Sequence, residues 1–198
     1  MVPKPTLLYH VIAVVSWPFI RFLFRLEARG VENVPAEGGC VLASNHVSNF
    51  DPWPLGIPLW RRRFLRFMAK SELYWFPLSL VLDGAGGFKV RRGQADREAI
   101  ETAVELARSG NMIAMFPEGT RRKKGLRKKH EARPRTGAAR IALDAGVPIV
   151  PAAVKGTDRL ARLGKLRVAY GTPLPPEGTA HELTARLMTE IERLHESL

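Results

Sequence analysis

The stretch SNHVSNFDPW, residues 44–53, sets His46 and Asp51 five positions apart, with Asn45 beside the histidine and Pro52 directly after the acid. A neutral imidazole accepts a proton near physiological pH. It does so better when a carboxylate fixes its tautomer and stabilises the imidazolium that forms. The chemistry such a pair can do is general-base activation of a hydroxyl, with His46 as base and Asp51 as its orienter. The same residues also fit a polar turn, because Asp-Pro commonly starts a helix, with Asp51 at the cap and Pro52 as the first helical residue. Ser44 and Ser48 flank the histidine, but neither lies in a G-x-S-x-G elbow, which disfavours a serine nucleophile. Two ligands are too few for zinc and no His or Cys cluster supplies others, so no metal is expected.

A second polar stretch, FPEGTRR (116–122), follows an apolar run. Arg121 offers a planar fork of donors that matches phosphate oxygens. Gly119 removes a side chain where backbone N–H groups approach an anion. Glu118 can orient Arg121 or accept from a substrate hydroxyl. Taken alone, the stretch also reads as a surface turn with a solvated charge pair.

The elements that must carry these residues alternate between strand and helix. GCVLAS (39–44), FLRFMA (64–69), GFKVRR (87–92) and NMIAMFPEG (111–119) read as strands, the last ending in a turn. ADREAIETAVELARSG (95–110) is an amphipathic helix, with Ile100, Val104 and Ala107 at helical spacing and Gly110 as its stop. Residues 136–154 read as a helix, a stop at Gly146 and a strand; 165–171 read as a final strand, and TAHE (179–182) opens the last helix with a capping box. This pattern predicts an α/β fold with a mixed, largely parallel sheet flanked by helices, and an apolar N-terminal helix before it. No repeat or long linker divides the chain, so 1–198 is expected to be one domain. The polar motifs fall just after strands, where open α/β sheets bind ligands.

Together and in this order the motifs resemble those of the glycerolipid acyltransferases, a family that includes the 1-acylglycerol-3-phosphate (lysophosphatidic acid) acyltransferases. The N-H-x4-D block matches Asn45, His46 and Asp51; F-P-E-G-T-R matches Phe116 to Arg121 without a gap; V-P-I-V-P matches Val147 to Pro151. A further block, roughly G-x-x-x-[IV]-D-R, is met in part: Gly86, Val90 and Arg92 fit, while Arg91 stands where an acid is usual. The resemblance implies acyl transfer from a thioester, acyl-CoA or acyl-ACP, to the free hydroxyl of 1-acylglycerol 3-phosphate, giving phosphatidic acid. His46 would be the base and Asp51 its orienter. Glu118, Gly119, Thr120 and Arg121 would hold the glycerol phosphate, with Arg92 a further candidate. The donor enters as a substrate, so no metal or redox cofactor is implied. Another lysolipid, an aminolipid or glycerol 3-phosphate remains open as acceptor.

Composition narrows the partners. Formal net charge is +12 over 198 residues, which favours anionic partners. A nucleic-acid module is disfavoured because the aromatics sit in apolar segments rather than among basic residues as stacking platforms. Residues 121–135 hold nine Lys or Arg against one Glu, a run suited to an anionic lipid surface or to an acidic carrier protein. TLLYHVIAVVSWPFI (6–20) is too short and too interrupted to span a bilayer, and Arg21 and Arg25 would share a face if the helix continued. Residues 1–28 are therefore expected to lie in a membrane interface. LYWFPLSLVL (73–82) reads either as an aromatic contact with that interface or as a core helix. The lone Cys40 permits no intrachain disulfide and suits a reducing compartment, in keeping with the cytoplasmic face of a membrane.

Overall fold

Runs buried on both sides dominate the middle of the chain. Every residue of 40–44 is buried, and so are six of the seven in 149–155. Strands of this kind belong in a parallel sheet covered by helices on both faces. The computed structural model describes residues 6–90, 96–118 and 134–198. Arg92, Gly119, Thr120, Arg121 and most of the basic run lie outside the described residues.

Among the described residues, the strands are β1 (Glu27–Arg29), β2 (Cys40–Ser44), β3 (Leu65–Lys70), β4 (Gly87–Val90), β5 (Met112–Met115), β6 (Ile149–Lys155) and β7 (Arg167–Tyr170). The helices are α1 (Leu7–Pro18), α2 (Pro52–Gly56), α3 (Leu78–Gly84), α4 (Asp96–Arg108), α5 (Gly137–Ala145) and α6 (Ala180–Glu196). The sheet order is β1-β7-β6-β2-β5-β3-β4. All pairs are parallel except β6 with β7. The sheet is thus mixed and largely parallel, as the alternation predicts. Strand β2 lies at its centre between β5 and β6, so the loop after Ser44 opens at the carboxyl edge of three adjacent strands.

The two faces of β2 separate two cores, because side chains alternate along a strand. Leu42 faces a cluster with Met112, Val150, Leu55 and Tyr170. Val41 and Ala43 face another, where α4, α5 and α6 contribute Ala103, Ala107, Ala139, Ile141, Leu183 and Leu187. The alanines let helix backbones come close to the sheet. The predicted stops hold: Gly146 ends α5 at φ +67°, a left-handed conformation open to glycine. Thr179 and Glu182 form the expected capping box of α6.

Three features add to the sequence reading or settle what it left open. Strand β1 was not foreseen, since its three residues are largely exposed and carry no apolar alternation. The N-terminal helix does not continue to Arg25. Pro18 has no N–H to bond back along the helix, and Phe19–Leu23 adopt the wider π form. Arg25 then leaves the helix at φ +47°, so Arg21 and Arg25 do not share a helical face. The segment 73–82 is not a core helix, because α3 begins only after Pro77 and leaves Trp75 and Phe76 at 58% and 78% exposure.

Tyr170 ties the sheet to the element that follows the candidate base. Its hydroxyl donates to Leu55 O in α2 at 2.7 Å. Burial pushes this phenol well above its ordinary pKa, so it remains a protonated donor. Tyr170→Phe is expected to lower stability by about 1–2 kcal/mol by leaving the Leu55 carbonyl without that donor. Urea unfolding of both proteins checks this.

Candidate active site

Strand β2 delivers the N-H-x4-D motif to the carboxyl edge of the sheet, and its first residue acts as an anchor. The Asn45 amide donates from Nδ2 to Val154 O at 2.9 Å, and Oδ1 accepts from Val154 N–H at 2.8 Å. The buried side chain thereby behaves as one more peptide group, extending the β2–β6 ladder beyond its last pair, Ser44 and Ala152. Immediately beyond this clamp the chain turns into the loop that carries His46 and Asp51.

Sequence separation alone leaves open whether imidazole and carboxylate meet. They do: His46 Nδ1 lies 2.8 Å from Asp51 Oδ2. The Asp51 side chain is 0% exposed and that of His46 is 18% exposed. A buried carboxylate is costly unless donors surround it. Oδ2 also accepts the N–H groups of Val47 and Ser48, at 2.8 and 2.9 Å, and Oδ1 accepts the Thr157 hydroxyl at 2.5 Å. Because the carboxylate can only accept, Nδ1 carries the proton and Nε2 is left as the acceptor. Asp51 holds the cap position before α2, as expected, but makes no side-chain cap hydrogen bond. Pro52 offers no N–H, and the carboxylate folds back into its own loop.

The second motif reaches the same place. Phe116 stacks on His46, with ring centroids 4.2 Å apart and planes at 23°. The parallel register of Ala43 with Met115 lets both chains leave the sheet at one level, which brings the two rings within reach of each other. Glu118, half-buried, stands two residues beyond Phe116. Arg135 N–H donates to Pro117 O at 2.8 Å, so the chain returns to the motif where the basic run ends. The structure thus unites His46, Asp51, Asn45 and Phe116 and sets Glu118 close by in the chain. The proposed anion ligands Arg121, Gly119, Thr120 and Arg92 lie outside the described residues.

Two participants were missed from sequence. Thr157 contacts Asp51 across 106 positions, and no local pattern marks it beyond its place in Gly156-Thr157 just after the V-P-I-V-P block. Phe116 was read as part of a motif, not as a ring lying against the histidine. Alongside the site, Phe24 meets Trp53 edge to face at 6.0 Å, linking the N-terminal segment to α2. Phe50 at the loop tip and Phe19, Phe22 and Leu23 are exposed.

A family model described as Acyltransferase matches residues 25–155. The chain is 31% identical over 156 residues to a 1-acyl-sn-glycerol-3-phosphate acyltransferase of Bacillus subtilis, covering 76% of this chain and 74% of that protein. It is 28% identical over 153 residues to the Escherichia coli protein of the same name, covering 73% of this chain but 58% of the other. The crystal structure of the 1-acyl-sn-glycerophosphate (LPA) acyltransferase PlsC from Thermotoga maritima matches with a TM-score of 0.72 at 26% identity, over 93% of this chain and 77% of that one.

Removing the clamp strips a buried N–H and a buried C=O of their partners at once. Asn45→Ala is expected to destabilise the fold by about 2–4 kcal/mol. A lowered denaturation midpoint, followed by circular dichroism, is the measure of that loss.

Proposed function

The chain belongs to the acyltransferase family, and we propose that it transfers a fatty acyl group from acyl-CoA or acyl-ACP to the free hydroxyl of 1-acylglycerol 3-phosphate, giving phosphatidic acid. The observation that carries this reading is the His46–Asp51 pair at 2.8 Å, lying against Phe116 of the F-P-E-G-T-R motif. An acyl thioester is already activated, because its thiol leaving group has a pKa of about 8.5. The acceptor hydroxyl is the weak partner, and one oriented base serves it without a covalent enzyme intermediate.

In this mechanism Nε2 of His46 takes the hydroxyl proton as the oxygen attacks the thioester carbonyl. Asp51 stabilises the imidazolium through Nδ1–H. The tetrahedral intermediate then expels the thiolate, which recovers the proton from Nε2, so the base is restored and the products are an ester and a free thiol. Glu118, Gly119, Thr120 and Arg121 bind the glycerol phosphate, with Arg92 as a further ligand for the same anion. The donor is consumed as a substrate, and no metal or redox cofactor takes part.

The partner surface in this reading is an anionic membrane at its cytoplasmic face, and not nucleic acid. Among the described residues no helix is long and apolar enough to cross a membrane. Helix α1 and the π turn nonetheless expose Leu7, Val11, Val14, Trp17 and Phe22, which suits a segment lying in the interface. The basic run 121–135 supplies attraction to anionic headgroups, at about 1 kcal/mol per basic group near the surface.

Purified protein with acyl-CoA or acyl-ACP is expected to convert lysophosphatidic acid to phosphatidic acid, followed by mass, in preference to other lysolipids, aminolipids or glycerol 3-phosphate. Absence of product with every acceptor overturns the reading. His46→Ala is expected to lower kcat/KM by roughly 10³-fold or more, and Asp51→Asn by about 10²–10⁴-fold, with both proteins folded. Binding to anionic vesicles is expected to weaken as salt rises; co-sedimentation that ignores both salt and lipid charge would remove the basic run from docking.

A further inference from the structure

The two oxygens of Asp51 are held unequally. Oδ2 receives three donors, all from the loop between His46 and Ser48, whereas the donor to Oδ1 comes from Thr157. A carboxylate gripped at one oxygen can still swing about that point. The second grip sets the plane of the group, and with it the line along which Oδ2 meets His46 Nδ1–H. A hydroxyl suits this task, because its proton turns to face an acceptor while its carbon stem stays with the backbone.

The stem is itself well fixed. Thr157 is buried, and it lies three residues past Val154, the residue that Asn45 clamps at both backbone groups. Gly156 makes the turn between them at φ +100°, and a Cβ built there would stand 2.3 Å from Lys165 O. The turn is therefore confined to glycine and pressed against the chain two residues before β7. Thr157 opens the short 3-10 helix 157–162, yet its hydroxyl points to Asp51.

From this geometry we infer that Thr157 is a positioning residue for acyl transfer, acting through the Asp51 carboxylate on the orientation and tautomer of His46. The inference rests on the reading of His46 as the base. It carries the site beyond the family-matched span, which ends at residue 155, onto the segment that follows β6.

The test compares Thr157→Val, which keeps the shape without the hydroxyl, with Thr157→Ser, which keeps the hydroxyl. Thr157→Val is expected to lower kcat by about 30-fold with little change in KM for either substrate. Thr157→Ser is expected to restore most of it. In an Asp51→Asn background the valine substitution is expected to add almost nothing, because the group it acts through is already altered. The second readout needs no substrate. Nitrogen-15 NMR of histidine-labelled protein at mildly alkaline pH, with the His46 signals assigned by His46→Ala, is expected to show the Nδ1–H tautomer in the wild type and a growing Nε2–H share in Thr157→Val. Should the valine variant not fold, Thr157→Cys, with its weak donor, is read in the same two ways. Wild-type kcat and tautomer in the hydroxyl-free variant, or an equal loss in both backgrounds, overturns the inference. If the wild type fails to acylate lysophosphatidic acid, the acceptor reading falls, while the tautomer measurement still decides the role of Thr157.

Discussion

A carboxylate with no exposure to water must collect its hydrogen-bond donors from whatever the chain can bring to it. Asp51 collects them from a side chain five positions back, from two backbone N–H groups of its own loop, and from a hydroxyl 106 positions ahead. Much of the architecture can be traced to this demand. The loop must coil tightly enough for Val47 and Ser48 to face inward. Strand β6 must lie beside β2, so that the segment after it passes over the loop. The Asn45 clamp and the β2–β6 register secure that adjacency before the loop begins.

The central place of β2 serves the same end. With β5 on one side and β6 on the other, three chains leave the sheet at one edge, and each brings a different residue to the site. Strand β2 leads to His46, β5 to Phe116 and the start of the F-P-E-G-T-R motif, and β6 to Thr157. One face of the sheet is closed by α4, α5 and α6 on small and branched side chains. The other is closed by α2 with Ile57 and Leu59 beyond it, and by the segment around Ile20 and Leu26. The N-terminal segment therefore does two things. A few of its residues complete the core, and the Phe24–Trp53 contact joins it to α2, the helix that follows the His46–Asp51 loop. Much of the remainder, including Leu7, Val11, Val14, Trp17 and Phe22, is apolar and exposed. An apolar surface of this kind next to the His46–Asp51 loop fits the proposed acceptor, delivered from a lipid layer.

Much of this was legible in the residues. The amphipathic period of α4, the glycine stop after α5, the capping box of α6 and the buried strands all rest on interactions within a few positions of each other, so their signals are local and survive in a single sequence. The motifs were legible in another way: each is a short contiguous block, and together, in their order, they resemble those of a known family. The spacing of His46 and Asp51 alone did not show that they meet. Less local features escaped. Strand β1 is three exposed residues that become a strand because β7 offers an edge. The π form at Phe19–Leu23 depends on how the chain leaves Pro18 to bury Ile20 while exposing Phe19 and Phe22. Trp75 and Phe76 looked equally suited to a core or to an interface, because hydrophobicity alone does not say which surface will cover a side chain.

The sequence by itself determined the residue types and the order of the blocks: a histidine, a carboxylate, the F-P-E-G-T-R block and the α/β alternation that sets these blocks after strands. Tertiary structure decided what those groups do for one another. It bent a five-residue arc until Nδ1 met Oδ2, laid the Phe116 ring on the imidazole, and brought a threonine from beyond β6 to the second oxygen of the acid. The physical reason is the reach of the interactions. Propensity, capping and periodicity act over a turn or two of chain, whereas the satisfaction of a buried charge is settled by neighbours in space, which the sheet order selects and no local pattern records.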